Sequence, residues 1–234
     1  MNYFVTGTDT GVGKTLISCA LLYAFAMQGK SVAGMKPVAA GYDEDGLNED
    51  VKKLRAATNI FASLGQINPY SFAHPVAPHI AARNSGVQIN LERILESYNE
   101  LASQAEVVIV EGVGGFQVPL NDTQDTADLA VELGLPVILV VGMRLGCLNH
   151  ALLTMRAITD CGLNCAGWVA NVLDSNMTAL DENILALQQR INAPLLSVIM
   201  FQTAPDSKNI STQLDLNLLQ VRIHEQNKLV AVDL

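Results

Sequence analysis

Residues 4–15, Phe-Val-Thr-Gly-Thr-Asp-Thr-Gly-Val-Gly-Lys-Thr, most constrain what this chain can fold into. An apolar, β-branched run enters a turn holding Gly7, Gly11 and Gly13. An apolar helical pattern then opens on Lys14 and Thr15. In a strand–turn–helix of this kind the turn's N–H groups and the helix N-terminus face an anion, and glycines let the backbone come close to it. A lysine in that place adds a point charge at the outer phosphates, and a threonine hydroxyl is a ligand for Mg²⁺. The usual spacing requires glycine at position 8. This chain has Thr8, and Gly7 lies one residue too early. The competing reading is a glycine-rich strand-to-helix turn with no ligand.

The remainder of the chain repeats the alternation. Short apolar runs at 3–6, 31–35, 107–110, 137–141, 166–170 and 195–200 read as strands, and 14–28, 90–104, 126–133, 148–161 and 177–191 read as helices. Strands apolar on both faces, alternating with helices, predict an α/β fold: a mostly parallel central sheet flanked by helices in three α/β/α layers. Gly29, Gly134 and Gly162 sit where helices should stop. The stretch 41–89 is less regular, with a polar loop (42–49), a short helix and a Pro/His-containing connection (68–79), which suggests a binding segment or a solvated insertion. No linker or repeat interrupts the pattern, so one domain is expected over 1–220, with 221–234 an extension of unassigned structure.

Half of the 234 residues are hydrophobic and 16% are charged, enough for a sizeable core and against disorder as a description of the whole. Fourteen basic against 23 acidic side chains give a net charge of −9, which disfavours nucleic acid and anionic membrane as partners. One local basic pocket for an anionic ligand remains possible. The longest apolar run, 135–141, falls far short of the roughly 20 residues that span a bilayer, and no basic segment precedes the first apolar run. Cys19, Cys147, Cys161 and Cys165 lie among apolar residues without paired-loop spacing. Cys161 and Cys165 lack the second pair that a metal site needs. Buried thiols and a cytoplasmic location are expected.

Two further residues join the phosphate loop. Glu111 follows the apolar run 107–110, at the carboxyl end of a predicted parallel strand, where such folds bind ligands. Beside the loop it is a candidate for Mg²⁺, directly or through water, with a solvated turn acid as the alternative. Lys36 ends the second strand, either as a second cation over developing negative charge or as a lysine snorkelling to the surface.

With these segments in place, the chain closely resembles the dethiobiotin synthetase family. The matching stretches are Tyr-Phe-Val-Thr-Gly-Thr-Asp-Thr at 3–10, Val-Gly-Lys-Thr at 12–15 and Gly-x-Lys-Pro-Val-Ala at 34–39. Asn-Pro-Tyr-x-Phe at 68–72, Pro-His-Ile at 78–80 and Val-Glu-Gly-x-Gly-Gly at 110–115 follow. Leu-Pro-Val-Ile-Leu-Val-Val-Gly at 135–142, Leu-Gly-Cys-x-Asn-His-Ala at 145–151 and Ala-Gly-Trp-Val-Ala-Asn at 166–171 complete the set. The displaced glycine also matches the family's own loop.

The resemblance implies a P-loop NTPase fold and a reaction. 7,8-Diaminononanoate takes up CO₂ (or bicarbonate) as a carbamate, ATP phosphorylates it to a carbamic–phosphoric anhydride, and the second amine closes the ring, giving dethiobiotin, ADP and phosphate. It also implies roles. Gly11, Val12, Gly13, Lys14, Thr15 and Leu16, with Gly112, Val113, Gly114 and Asn171, hold the nucleotide, Asn171 reading adenine. Thr15, Asp50 and Glu111 form the Mg²⁺ set. Thr10, Lys36 and Ala40 face the substrate, with Lys14, Lys36 and Thr10 in the chemistry. Gly146, Cys147, Leu148 and Asn149 reach the partner's diamine across a homodimer interface. Taken alone, Asp50 reads as a solvated turn acid, Asn171 as a turn former and Asn149 as a helix cap.

The chain departs from the family at Ala40, where serine is common, and at Met200, where proline commonly follows isoleucine. The competing functions are a regulatory ATPase switch of the partition and division-site (ParA/MinD) type, and an inactive relative. The first carries a signature lysine at the place of Asp9, and the second is opposed by Lys14, Thr15, Lys36, Asp50 and Glu111.

Overall fold

The computed structural model describes residues 1–219, so residue 220 and the expected extension 221–234 lie outside the described residues. β1 (Asn2–Gly7), β2 (Val32–Met35), β5 (Val107–Glu111), β6 (Val137–Met143), β7 (Cys165–Val172) and β8 (Leu195–Ile199) form one sheet in the order β2-β5-β1-β6-β7-β8. Every neighbouring pair in it is parallel. Each of the six predicted strands is present, within one or two residues at either end.

Alternate residues of these strands enter opposite cores, as the period of two requires. Tyr3, Val5, Ile109, Ile138, Val140 and Val169 pack with α1 (Lys14–Met27), α2 (Glu49–Ala57) and α9 (Ser207–Ser211). Phe4, Val108, Val110, Leu139, Val141, Trp168 and Ala170 pack on the other side with α4 (Pro78–Asn84), α5 (Leu91–Gln104), α6 (Thr126–Leu133), α7 (Cys147–Asp160) and α8 (Leu180–Gln188). The result is the expected three-layer α/β/α arrangement. Gly29 and Gly162 follow the ends of α1 and α7 with φ of 81° and 73°, and Gly134 caps α6 with φ of 61°.

Helix boundaries differ from expectation at α7 and at α8, which also ends at Gln188 instead of 191. α8 begins at Leu180 instead of 177, after Ala179 takes a left-handed φ of 56°. Gly146, with φ of 93°, holds the cap position of α7, so Asn149 lies inside the first turn and is not a cap.

The stretch 41–89 holds more regular structure than its sequence suggests. β3 (Val38–Ala40) and β4 (Tyr70–Phe72) form a small parallel sheet, with Val38 opposite Tyr70. α2, α3 (Leu64–Ile67) and α4 also lie in it. Strands of three residues and a helix of four show too little periodicity to be read as such. β1 lies between β5 and β6 while the chain crosses from β1 to β2 beyond β5, so the topological switch point is at the carboxyl end of β1.

Candidate functional site

The loop between β1 and α1 is shaped by its side chains. A Cβ at Gly7 would meet Val12 Cγ2 and the aliphatic stem of Lys14. The glycine therefore belongs at position 7, where the lysine stem crosses the backbone. Thr8 Oγ1 accepts a 3.3 Å hydrogen bond from the Gly142 N–H, tying the loop to β6. These two contacts account for the unusual spacing. No side chain caps α1 and no acid stands in its first turn, so the helix N-terminus is available to an anion.

Thr15, Lys36, Asp50 and Glu111 converge from four elements. Glu111, the last residue of β5, has a fully buried side chain. Its Oε1 accepts 2.8 Å from Thr15 Oγ1 and 2.6 Å from Lys36 Nζ. Lys36 Nζ also lies 3.0 Å from Asp50 Oδ2 and donates 3.1 Å to the Gly112 carbonyl. Asp50 is not a free turn acid: it is the second residue of α2, behind the cap Asn48, and brings its carboxylate to Lys36. Burial opposes both charges, but Glu111 and then Asp50 outweigh it and raise the pKa of Lys36. Asp50 is likewise held low, with burial overcome by Lys36 and by the Thr15 hydroxyl.

Glu111 Oε2 is buried with no hydrogen-bond partner. An orphan carboxylate oxygen beside a hydroxyl and a second carboxylate suits a hard cation, which prefers oxygen ligands. Among the described residues no three His, Cys, Asp or Glu side chains could cage a metal by themselves. The set present fits Mg²⁺, which is commonly held by one or two carboxylates together with substrate phosphates and water.

Thr15, Lys36 and Asp50 bound a cleft of about 800 Å³, and Glu111 is buried behind them. Thr10, Gly11, Gly13, Lys14, Thr15, Leu16, Lys36, Ala40, Asp50, Val113 and Gly114 line it. Val12 and Gly112 are just behind: the Val12 side chain is buried, and the Gly112 carbonyl meets Lys36. Asn171 is not a turn former. It lies within β7 and donates 2.8 Å to the Val12 carbonyl, so it braces the loop from the back. Gly146, Cys147, Leu148 and Asn149 do not line this cleft, while Leu145 beside them is 98% exposed.

Sequence reading missed several lining residues. Asn48 caps α2 and donates to the Gly41 carbonyl, and its Asx-type signal before an acidic first turn was available. The run 75–78, inside the Pro/His-containing connection that suggests a binding segment, lines the cleft, as does Lys53, which nothing in its local pattern marks. Asp9 offers its carbonyl to Lys14 Nζ at 2.9 Å, while its carboxylate pairs with Arg144 at 2.5 Å.

Burial, and then the charge of Lys36, push the Lys14 ammonium down to about 8. Phosphate binding favours the charged form, so binding takes up a proton above that pH. ATP affinity should therefore fall as pH rises through about 8, seen as a weakening Kd by calorimetry at pH 7, 8 and 9. Lys14→Arg should flatten the profile, and a flat wild-type profile would exclude Lys14 from the phosphate contact. The same depression means that the folded chain gains stability as pH rises from about 8 toward 10.5, because only the unfolded lysine stays protonated there.

A family model described as an AAA domain matches residues 1–208. The chain is 54% identical over 214 residues to the ATP-dependent dethiobiotin synthetase BioD of Nitrosospira multiformis, covering 92% of this chain and 94% of that protein. It is 54% identical over 217 residues to the protein of the same name from Aromatoleum aromaticum, covering 92% and 96%. Among solved structures, the MinD cell division protein of Aquifex aeolicus matches with a TM-score of 0.56 at 14% identity, over 96% of this chain and 97% of that one. The septum site-determining protein MinD of Pyrococcus horikoshii matches with a TM-score of 0.53 at 16% identity, over 86% and 82%. At such identities these two likenesses concern the P-loop NTPase fold alone.

Proposed function

The chain belongs to the ATP-dependent dethiobiotin synthetase family, and on that premise we propose how its residues share the work of the reaction. It is an ATP-dependent, ligase-type enzyme of biotin biosynthesis, with ATP and 7,8-diaminononanoate as substrates. The regulatory-switch reading is not favoured, because relatives at 50–54% identity outweigh a fold likeness at 14–16%.

Three steps need stabilised negative charge: carbamate formation on one amine, transfer of the γ-phosphoryl group to a carbamate oxygen, and displacement of phosphate by the second amine. Each amine loses a proton as its bond to carbon forms. The observation that carries the assignment is the convergence of Thr15 and Lys36 on Glu111, with Asp50 on the same Lys36 ammonium, at the wall of the cleft that Thr15, Lys36 and Asp50 line. Lys14 and the N–H groups at the start of α1 hold the transferring and leaving phosphate. Lys36, carried by β2 and anchored to the β5 end, holds the carbamate oxygen. Both are fixed before reaction, so little reorganisation is needed as charge develops. Thr10 and Ala40 line the substrate side, where Ala40 offers only its backbone. Mg²⁺, held by Thr15, Asp50 and Glu111, would supply charge neutralisation at the phosphates when bound. The loop and Gly112, Val113 and Gly114 receive the nucleotide, and Asn171, which braces the loop through the Val12 carbonyl, is proposed to contact the base as well.

The active site is proposed to be completed by a second copy. Gly146, Cys147, Leu148 and Asn149 lie off the cleft of their own chain, so any substrate contact they make is to a partner's. One domain over 1–220 would supply all other parts. Among the described residues no helix is long and apolar enough to cross a membrane, and a cytoplasmic location is proposed with it.

Incubation with ATP, Mg²⁺, bicarbonate and 7,8-diaminononanoate should release phosphate and dethiobiotin in equal amounts. ATP turnover indifferent to the diamine would overturn the assignment, and sedimentation only as a monomer under assay conditions would remove the shared site.

A further inference from the structure

Lys36 lies just past the last paired residue of β2, where Met35 stands opposite Val110. β2 is the edge of the main sheet, and the ladder to β5 no longer holds the backbone at Lys36. Its polar groups are taken up by the segment before β4 instead. The Lys36 N–H donates 2.8 Å to the Ile67 carbonyl. Asn68, only 7% exposed, donates from Nδ2 to the Lys36 carbonyl at 2.6 Å and to the Tyr70 carbonyl at 2.9 Å. Pro37 has no N–H, and its carbonyl accepts 3.1 Å from the Tyr70 N–H, which starts the β3–β4 pairing.

One buried amide thus joins the backbone of Lys36 to the first residue of β4. We infer that Asn68 is a positioning residue for Lys36: through the Lys36 carbonyl it sets the point from which the ammonium reaches Glu111 Oε1, Gly112 and the cleft. The inference rests on the role proposed above for Lys36. Asn68 does not line the cleft and its amide is spent on the Lys36 and Tyr70 carbonyls, so its influence falls on the step that Lys36 serves and not on ATP binding. A displacement of about 1 Å at such a group is enough to lower a rate by up to about 100-fold.

Steady-state kinetics of Asn68→Ala test this. The expected result is a kcat for dethiobiotin formation reduced about tenfold or more, a KM for ATP within about twofold of wild type, and ADP binding unchanged. In a Lys36→Met background the same substitution should change residual turnover less than about twofold, since the two residues act as one unit. Should Asn68→Ala not fold, Asn68→Ser, which keeps one short donor, is read by the same measures. Unchanged kcat overturns the inference, as does a loss that persists in full beside Lys36→Met or moves with the KM for ATP. If Lys36→Met itself retains full turnover, the failure lies with the role of Lys36. If only Asn68→Ala does, it lies with this inference.

Discussion

Lys36→Met should lower kcat for ring closure by about 10²–10³-fold, the loss typical of removing one preorganised donor to developing charge, while nucleotide still binds. The expectation follows from how much the fold invests in this ammonium. Lys36 is 3% exposed, and moving a lysine charge out of water is strongly unfavourable unless it is paired and hydrogen-bonded. Here it meets Glu111 Oε1 at 2.6 Å, Asp50 at 3.0 Å and the Gly112 carbonyl at 3.1 Å. A buried cation with three partners at a cleft wall is held ready for negative charge in the cleft.

The same variant should be less stable by about 3–5 kcal/mol, because Glu111 loses a partner where water cannot replace it. Urea unfolding measures that term, and the double variant Lys36→Met/Glu111→Gln should recover part of it without recovering turnover. The pH dependence has a defined sign. Lys36 is raised above 10.5, so its contribution is intact at every pH below that and fades only as pH climbs through the folded value. Asp50 is lowered below 3.8, so its contribution is present above 3.8 and is lost as pH falls through the folded value. Between 3.8 and about 8 the stability loss in Lys36→Met should be nearly constant with pH, and it should grow above about 8, where the wild-type Lys14 that Lys36 had depressed gives up its proton. Turnover within threefold of wild type would remove Lys36 from the reaction.

What the sequence made legible follows from what is local. Strands β1, β5, β6 and β7 are continuous apolar runs because both faces of a central parallel strand are buried, so they stand out without any tertiary information. Lys14, Thr15 and Glu111 are placed by such strands and were readable from them. Asp50 was readable only through family likeness: its inward turn depends on Asn48 capping α2 and on Lys36, which is 14 residues away in sequence and on another element. Asn171 looked like a turn former because asparagine favours turns, but a buried amide beside an unpaired loop carbonyl overrides that preference. The small β3–β4 sheet was hidden for a different reason. Its strands of three residues are stabilised by Asn68 and by pairing across some 30 residues, neither of which leaves a periodic trace.

Gly13→Ala should weaken ATP binding by about 30- to 150-fold, and the reason is that two separate penalties meet at one carbon. Gly13 has a φ of 93°, in the left-handed region where an L side chain costs about 1–2 kcal/mol. A Cβ there would also fall on the Asn171 side-chain nitrogen. That nitrogen holds the Val12 carbonyl, so the amide must leave it, giving up a hydrogen bond worth about 1 kcal/mol. Together these bend the loop at the start of α1, and a loss of about 2–3 kcal/mol in binding is about 30- to 150-fold in Kd. Gly11→Ala provides the comparison: its φ is 73°, but nothing lies within 4 Å of the added carbon, so it carries the first penalty without the second and should bind ATP more tightly than Gly13→Ala. Asn171→Ala in the Gly13→Ala background removes the collision and should restore part of the affinity, although Asn171→Ala alone weakens binding. Calorimetric titration of ADP into the four proteins of that cycle measures the coupling. Strictly additive losses would show that Asn171 does not act through Gly13 and the loop.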